Sequence, residues 1–113
     1  MTCIFCNIVT GKIPASIVLD DTDIMAFRDI HPQAPTHLLV IPKHHIATIN
    51  DTNNADQALL GKMLLAGKNL AASEGLSSSG YRLVFNINAG GGQDVYHIHL
   101  HVLGGRQMQW PPG

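Results

Sequence analysis

Charge is scarce in this chain: 13% of its 113 residues are Asp, Glu, Lys or Arg, against about 25% in an average globular domain. So little charge predicts that part of the surface is covered by a partner, a second copy of the chain being the simplest. Seven Lys and Arg face 8 Asp and Glu, for a net charge of -1 and a pI near 6.6, so no basic excess draws the chain to a phosphate backbone. Aromatic residues make up 5%, too few to give bases a stacking platform. Nucleic-acid binding is thereby disfavoured. No apolar run approaches the roughly 18 residues of a membrane span, and the opening MTCIFCNIVTG has neither the basic start nor the long apolar stretch of a secretory signal. A cytoplasmic protein without membrane contact is expected. The two cysteines, Cys3 and Cys6, are too close together to staple a useful loop, which leaves burial or metal binding to account for them.

Histidine, by contrast, is abundant. There are 7, as many as Lys and Arg combined, and a side chain that titrates near pH 6.5 is rarely used in bulk as surface filler.

Apolar periodic segments alternate with short turn clusters throughout, without repeat or linker, which reads as one domain over residues 1–113 with an extended tail from about Gly104. Cys3 to Thr10 predicts a short helix capped by Thr2 and stopped by Gly11. Ser16–Asp20 and Ile24–Asp29 form a hairpin around Asp21-Thr22-Asp23, and His37–Pro42 (HLLVIP) a strand buried on both faces. Asn54 to Glu74 predicts the long helix, with Leu60, Met63, Leu64, Gly67, Leu70 and Ala71 on its inner face and Gly75 as its stop. Tyr81–Ile87 and Tyr96–Leu103 complete a set of about five strands. The fold class is α+β, an antiparallel sheet with one long and one short helix. The tail carries the only tryptophan, Trp110, a ring large enough to need a packing partner.

In the last strand His97, His99 and His101 alternate with Ile98, Leu100 and Val102. Period-2 geometry puts the imidazoles on one face and the aliphatics on the other. The outer two histidines then stand about 13 Å apart, too far for one metal ion to hold all three. Cys3-Ile4-Phe5-Cys6 has the spacing of a zinc knuckle, and two further ligands would complete a tetrahedral site. The Gly90-Gly91-Gly92 run alone signals a flexible turn more than a phosphate cradle.

His97-Ile98-His99-Leu100-His101-Val102-Leu103 resembles the His-x-His-x-His-x-x signature of the histidine triad superfamily. Ile4-Phe5, Ile13-Pro14, Ala26 to Ile30, Pro32 to His37, Val40 to Lys43 and the tail from Gly104 to Gly113 extend the likeness, to its nucleotide-binding branch, over essentially the whole chain. The resemblance implies a homodimeric, HIT-like hydrolase of purine nucleoside 5′-phosphoramidates, taking AMP- or GMP-type substrates and needing no cofactor for catalysis. By the motif, His99 is the nucleophile, a role that neutral imidazole suits, His101 contacts the phosphate, and His37 completes the proton network. Asp29 corresponds to the ribose-binding carboxylate. Phe5, Ile8, Ile13, Phe27, Ile30 and Leu39 match the apolar base pocket, and Asn86, Gly92, Asp94 and Val95 the phosphate side. In superfamily members that bind zinc, the partners of such a cysteine pair match His45 and His97, so a structural zinc on Cys3, Cys6, His45 and His97 is implied. His31 and His44 are left as surface residues.

Two positions depart from the pattern: Asp94 stands where serine is frequent, and an ionised carboxylate cannot donate; and many relatives lack the cysteine pair. Two rival functions remain at this point, a zinc-dependent hydrolase that activates water on triad histidines and a non-catalytic nucleotide-binding or interaction protein.

Overall fold

The computed structural model describes residues 2–113. Helix α1 (Ile4–Val9) leads into strands β1 (Ile17–Asp20), β2 (Ile24–Arg28) and β3 (Thr36–Pro42); helix α2 (Gln57–Ser73) follows two single 3-10 turns, and β4 (Tyr81–Phe85) and β5 (Leu100–Gly104) end the sheet. All neighbours are antiparallel, in the order β1-β2-β3-β5-β4. The expected α+β class holds.

The central strand β3 divides two cores. Leu38 and Val40 face α2 together with Ile24, Ala26, Leu100 and Val102, while Leu39 and Ile41 face α1 with Phe5, Ile8, Met25 and Phe27. This is why HLLVIP reads as a continuous apolar run. On α2 the inner face is Met63, Ala66, Gly67 and Ala71, with Leu60 and Leu70 packed at its margin. Leu64, expected inside, is 43% exposed, because the buried stripe turns toward Ala66, whose small side chain lets the helix lie close. Gly67 allows the closest approach: a Cβ there would stand 3.1 Å from Leu100 and 3.2 Å from Leu83.

Several boundaries differ from expectation for local reasons. The N-cap of α1 is Cys3, whose Sγ accepts from the Cys6 N–H at 3.4 Å, in place of Thr2. Gly11 follows the helix at φ +79°, as a left-handed stop should. The start of α2 is replaced by a separate 3-10 turn, Asn54–Asp56, closed by the Asn53 and Asp56 side chains. The largest correction concerns the last strand, which begins at Leu100 and leaves His97, Ile98 and His99 outside the ladder. The pairing of Val40 with Leu100 would be followed by Pro42 opposite Ile98, but proline has no N–H to continue it. The Ile98 N–H instead donates to the Ile46 carbonyl at 2.8 Å. The alternation survives: Ile98, Leu100 and Val102 all join the α2-side core.

Candidate functional site

On the α1 side of the sheet a cleft of about 220 Å³ opens. Its apolar wall brings together Phe5, Ile8, Ile13, Phe27, Ile30 and Leu39, the six residues matched to a base pocket, with Asp29, Asp94, Val95, His99 and His101 at the polar end. Ile30 is 80% exposed and forms a rim. Pro14, Ala15, Arg28 and His31 also line the cleft. His31 had carried no signal beyond its neighbourhood to Asp29, whose Oδ1 accepts from the His31 N–H at 2.7 Å.

The partners of the histidines fix their tautomers. The Nδ1–H of His99 donates to the His97 carbonyl at 2.8 Å, which leaves Nε2 with a free lone pair. His37 Nδ1 accepts from the Gln33 N–H at 3.0 Å, so its proton sits on Nε2 and is donated to His101 Nδ1 at 2.8 Å. His101 must then carry its own proton on Nε2. That nitrogen is buried and has no partner among the described residues. An unsatisfied buried donor is costly, and here it asks for an acceptor such as a phosphate oxygen. The contact between His37 and His101 follows from register: Leu39 pairs with His101 and His37 with Leu103, which makes the two histidines diagonal neighbours on one face.

Burial reinforces the neutral states. It pushes His101 down to about 4, helped by the neighbouring imidazoles of His99 and His37. It also lowers His37, against the pull of Asp29, whose Oδ2 lies 3.5 Å from His37 Nε2. The rings of His99 and His101 are 4.9 Å apart, and Phe5 meets His99 edge-on at 5.2 Å.

Asp94 Oδ1 lies 3.5 Å from His99 Nε2, on a side chain that is 79% exposed. Buried Gln93 positions the Asp94–Val95 segment: its amide donates to the Ala47 and Val95 carbonyls at 2.8 and 3.1 Å and its oxygen accepts from the Asn88 N–H at 2.9 Å. Asn86 and Gly92 do not line the cleft; the turn Ala89–Gly91 folds back toward the Asn86 backbone instead. Gln93 escaped the sequence reading because a lone glutamine after glycines has no pattern of its own.

Beside the cleft, Cys3, Cys6, His45 and His97 bring one ligand atom each to within 4.8 Å of one another. His97 Nε2–H donates to the Pro42 carbonyl at 2.8 Å, so Nδ1 faces the thiols, 3.4 Å from Cys3 Sγ and 3.6 Å from Cys6 Sγ; His45 Nδ1 is 3.5 Å from Cys6 Sγ. Ligands around a tetrahedral zinc, at about 2.3 Å for sulfur and 2.0–2.1 Å for nitrogen, stand about 3.6 Å apart. The four residues fit that ion. Burial and the adjacent Cys3 thiol raise Cys6.

A family model described as scavenger mRNA decapping enzyme C-term binding matches residues 2–110. A HIT-like protein of Synechococcus elongatus is 54% identical over 97% of this chain and 96% of its own. The chain belongs to the histidine triad (HIT) family. The purine nucleoside phosphoramidase of Escherichia coli is 49% identical over 93% of this chain and 88% of its own. The crystal structure of a HIT family hydrolase from Legionella pneumophila superimposes with a TM-score of 0.97 at 67% identity, covering 99% of this chain and 100% of that one. The chain is accordingly a hydrolase of the HIT fold. Within the HIT motif the structure separates the three histidines by what they face: His97 the thiols, His99 and His101 the cleft. His44 is exposed on the surface.

Proposed function

We propose that this HIT hydrolase cleaves the P–N bond of purine nucleoside 5′-phosphoramidates through a nucleotidyl intermediate on His99. The observation that carries the reading is the pairing of a bare Nε2 on His99 with an unpartnered Nε2–H on His101 at the polar end of an apolar cleft. The base lies against Phe5, Phe27 and Leu39, and the Asp29 carboxylate accepts from the ribose hydroxyls. His99 Nε2 attacks phosphorus while His101 donates to a non-bridging oxygen, where charge builds in the transition state. The Nε2 proton of His101 passes to the departing amine and is returned by water in the second step, with His37, in contact with His101, completing the proton network. Water then displaces His99 and releases the nucleoside monophosphate. The activity in the name of the Escherichia coli relative supports the substrate class.

Cys3, Cys6, His45 and His97 hold a structural zinc in this reading, with all four positions filled by protein. When bound, the ion would pin α1 to the residues before β5. No other cofactor is needed, because the nucleophile is a side chain. The chain acts in the cytoplasm as a homodimer of single-domain protomers, with no nucleic-acid or membrane partner; the low charge content and the unpaired edge of β4 support a second copy. The rival of a catalytic metal on Asp29, His37 and His101, whose ligand atoms also cluster, is disfavoured because His37 Nε2 and His101 Nδ1 are already spent on each other.

Mass spectrometry of protein quenched during turnover tests the mechanism. A nucleotidyl adduct on His99 is expected, and His99→Gly should lose turnover by at least a thousandfold, on the order of a missing nucleophile, while still binding AMP. Full turnover in that variant would sink the mechanism. Loss of nucleotide binding in the wild type would favour the interaction-protein alternative.

A further inference from the structure

A cleft built for a phosphate would be expected to offer positive charge, and this one does not. Asp29 and Asp94 both line it. Arg28, the one Lys or Arg on its wall, is committed to Glu74 through paired bonds of 2.8 and 3.2 Å. Among the described residues neither Lys nor Arg forms an ion pair with Asp94, whose carboxylate faces His99 Nε2 at 3.5 Å. The donors that remain are neutral N–H groups, His101 Nε2–H foremost. Such a site binds an oxyanion by hydrogen bonds, and each additional negative charge on the ligand meets uncompensated carboxylate.

The proposed reaction changes that charge. A nucleoside phosphoramidate, RO–PO2⁻–NHR′, takes up water and gives RO–PO3²⁻ and R′NH3⁺: the P–N bond breaks, a P–O bond forms, and both protons of water, with the one already on nitrogen, leave on the ammonium. Substrate is a monoanion. Product is a dianion at neutral pH, since the second phosphate ionisation falls near 6.

We propose that Asp94 is a charge filter, admitting the monoanionic substrate and expelling the dianionic product. The proposal rests on the phosphoramidate reading, and it gives the carboxylate a role at the position where a serine donor is frequent in this family. An uncharged residue there would leave the first product bound more tightly and the site more open to monophosphates as inhibitors.

The test compares two ligands of equal shape and unequal charge. AMP and its 5′-methyl phosphate ester, a monoanion, are titrated calorimetrically into wild type, Asp94→Asn and Asp94→Glu at about pH 7.5 and low salt. Asp94→Asn should lower the Kd of AMP about fivefold more than it lowers that of the methyl ester, the effect of the one unit charge by which the two ligands differ, some 5 Å from the carboxylate in a near-aqueous dielectric. Asp94→Glu should behave as wild type, and the AMP effect should shrink at high salt. Equal changes for both ligands, or none for either in Asp94→Asn, overturn the filter while leaving the phosphoramidate reading intact. If neither nucleotide binds wild type, that reading fails first and the filter with it. Because the side chain is largely exposed and Asn is isosteric, the variant should melt with wild type.

Discussion

His37 holds His101 in one tautomer: the Gln33 N–H occupies His37 Nδ1 at 3.0 Å, and His37 Nε2–H donates to His101 Nδ1 at 2.8 Å. The proton on His101 is thereby kept on Nε2, facing the cleft. His37 itself does not line the cleft, so in the proposed reaction it positions a donor.

Replacing His37 with Ala should therefore lower kcat by up to about a hundredfold, less than deleting a transition-state donor outright, which costs about 10²–10³, with KM nearly unchanged. Nitrogen NMR of the imidazoles supplies the readout that a merely structural role would not move: His101 should lose its fixed Nε2–H signature. A variant that keeps that signature but loses the rate would point to another cause.

Acidification should destabilise the protein through its buried imidazoles. His101 has a folded pKa of about 4 against an ordinary 6.5, so between those values the unfolded chain takes a proton that the folded chain refuses. Stability contributed by the neutral ring is intact above about pH 6.5, falls as pH drops through the window, and loses nothing more from this residue below about 4. His37 and His97 shift in the same direction, again through burial. Urea midpoints at neutral and mildly acidic pH, with an NMR titration of His101, check this; titration of His101 near 6.5 would sink it.

The thiol cluster makes a separate claim on purified protein, which should carry one zinc per chain by elemental analysis. Chelation, or Cys6→Ser, should lower the Tm by several degrees, since a ligand bound only by the folded state stabilises it. Turnover should fall less than about tenfold. Abolition on chelation, restored by zinc, would favour the catalytic-metal rival instead.

At Gly67 the packing leaves no room for a large side chain. Gly67→Leu should cost about 1–3 kcal/mol by overpacking against Leu100, Leu83 and Val102. Gly67→Ala should be nearly neutral, because about 1 kcal/mol of helix propensity offsets contacts that flexible methyl groups can relieve. Urea unfolding that ranks Leu level with wild type would contradict this account.

Much of this architecture could be read before any coordinates. Alternation in Ile98, Leu100 and Val102 identified an inner face because burial follows side-chain period, and HLLVIP identified a strand with core on both sides. The Cys3–Cys6 spacing pointed to two thiols side by side, because one helical turn brings them together. What stayed hidden depended on pairings between distant segments. The tautomers are set by the His97 carbonyl and the Gln33 amide, which no residue type announces, and Gln93 owes its burial to a carbonyl at Ala47, 46 positions away. The turn of the α2 stripe toward Ala66 depended on how closely the helix could approach Leu100.

Pro42 has a reach beyond ending a ladder. A sheet uses up its carbonyls in pairing, and where pairing stops they become free to hold side chains. The Pro42 oxygen takes the His97 ring and the His97 oxygen takes the His99 ring, so the place where the strand fails is where the chain gains two rigid acceptors for aiming imidazoles. Extending β5 by one regular pair would lengthen the sheet and leave His99 without its orienting bond.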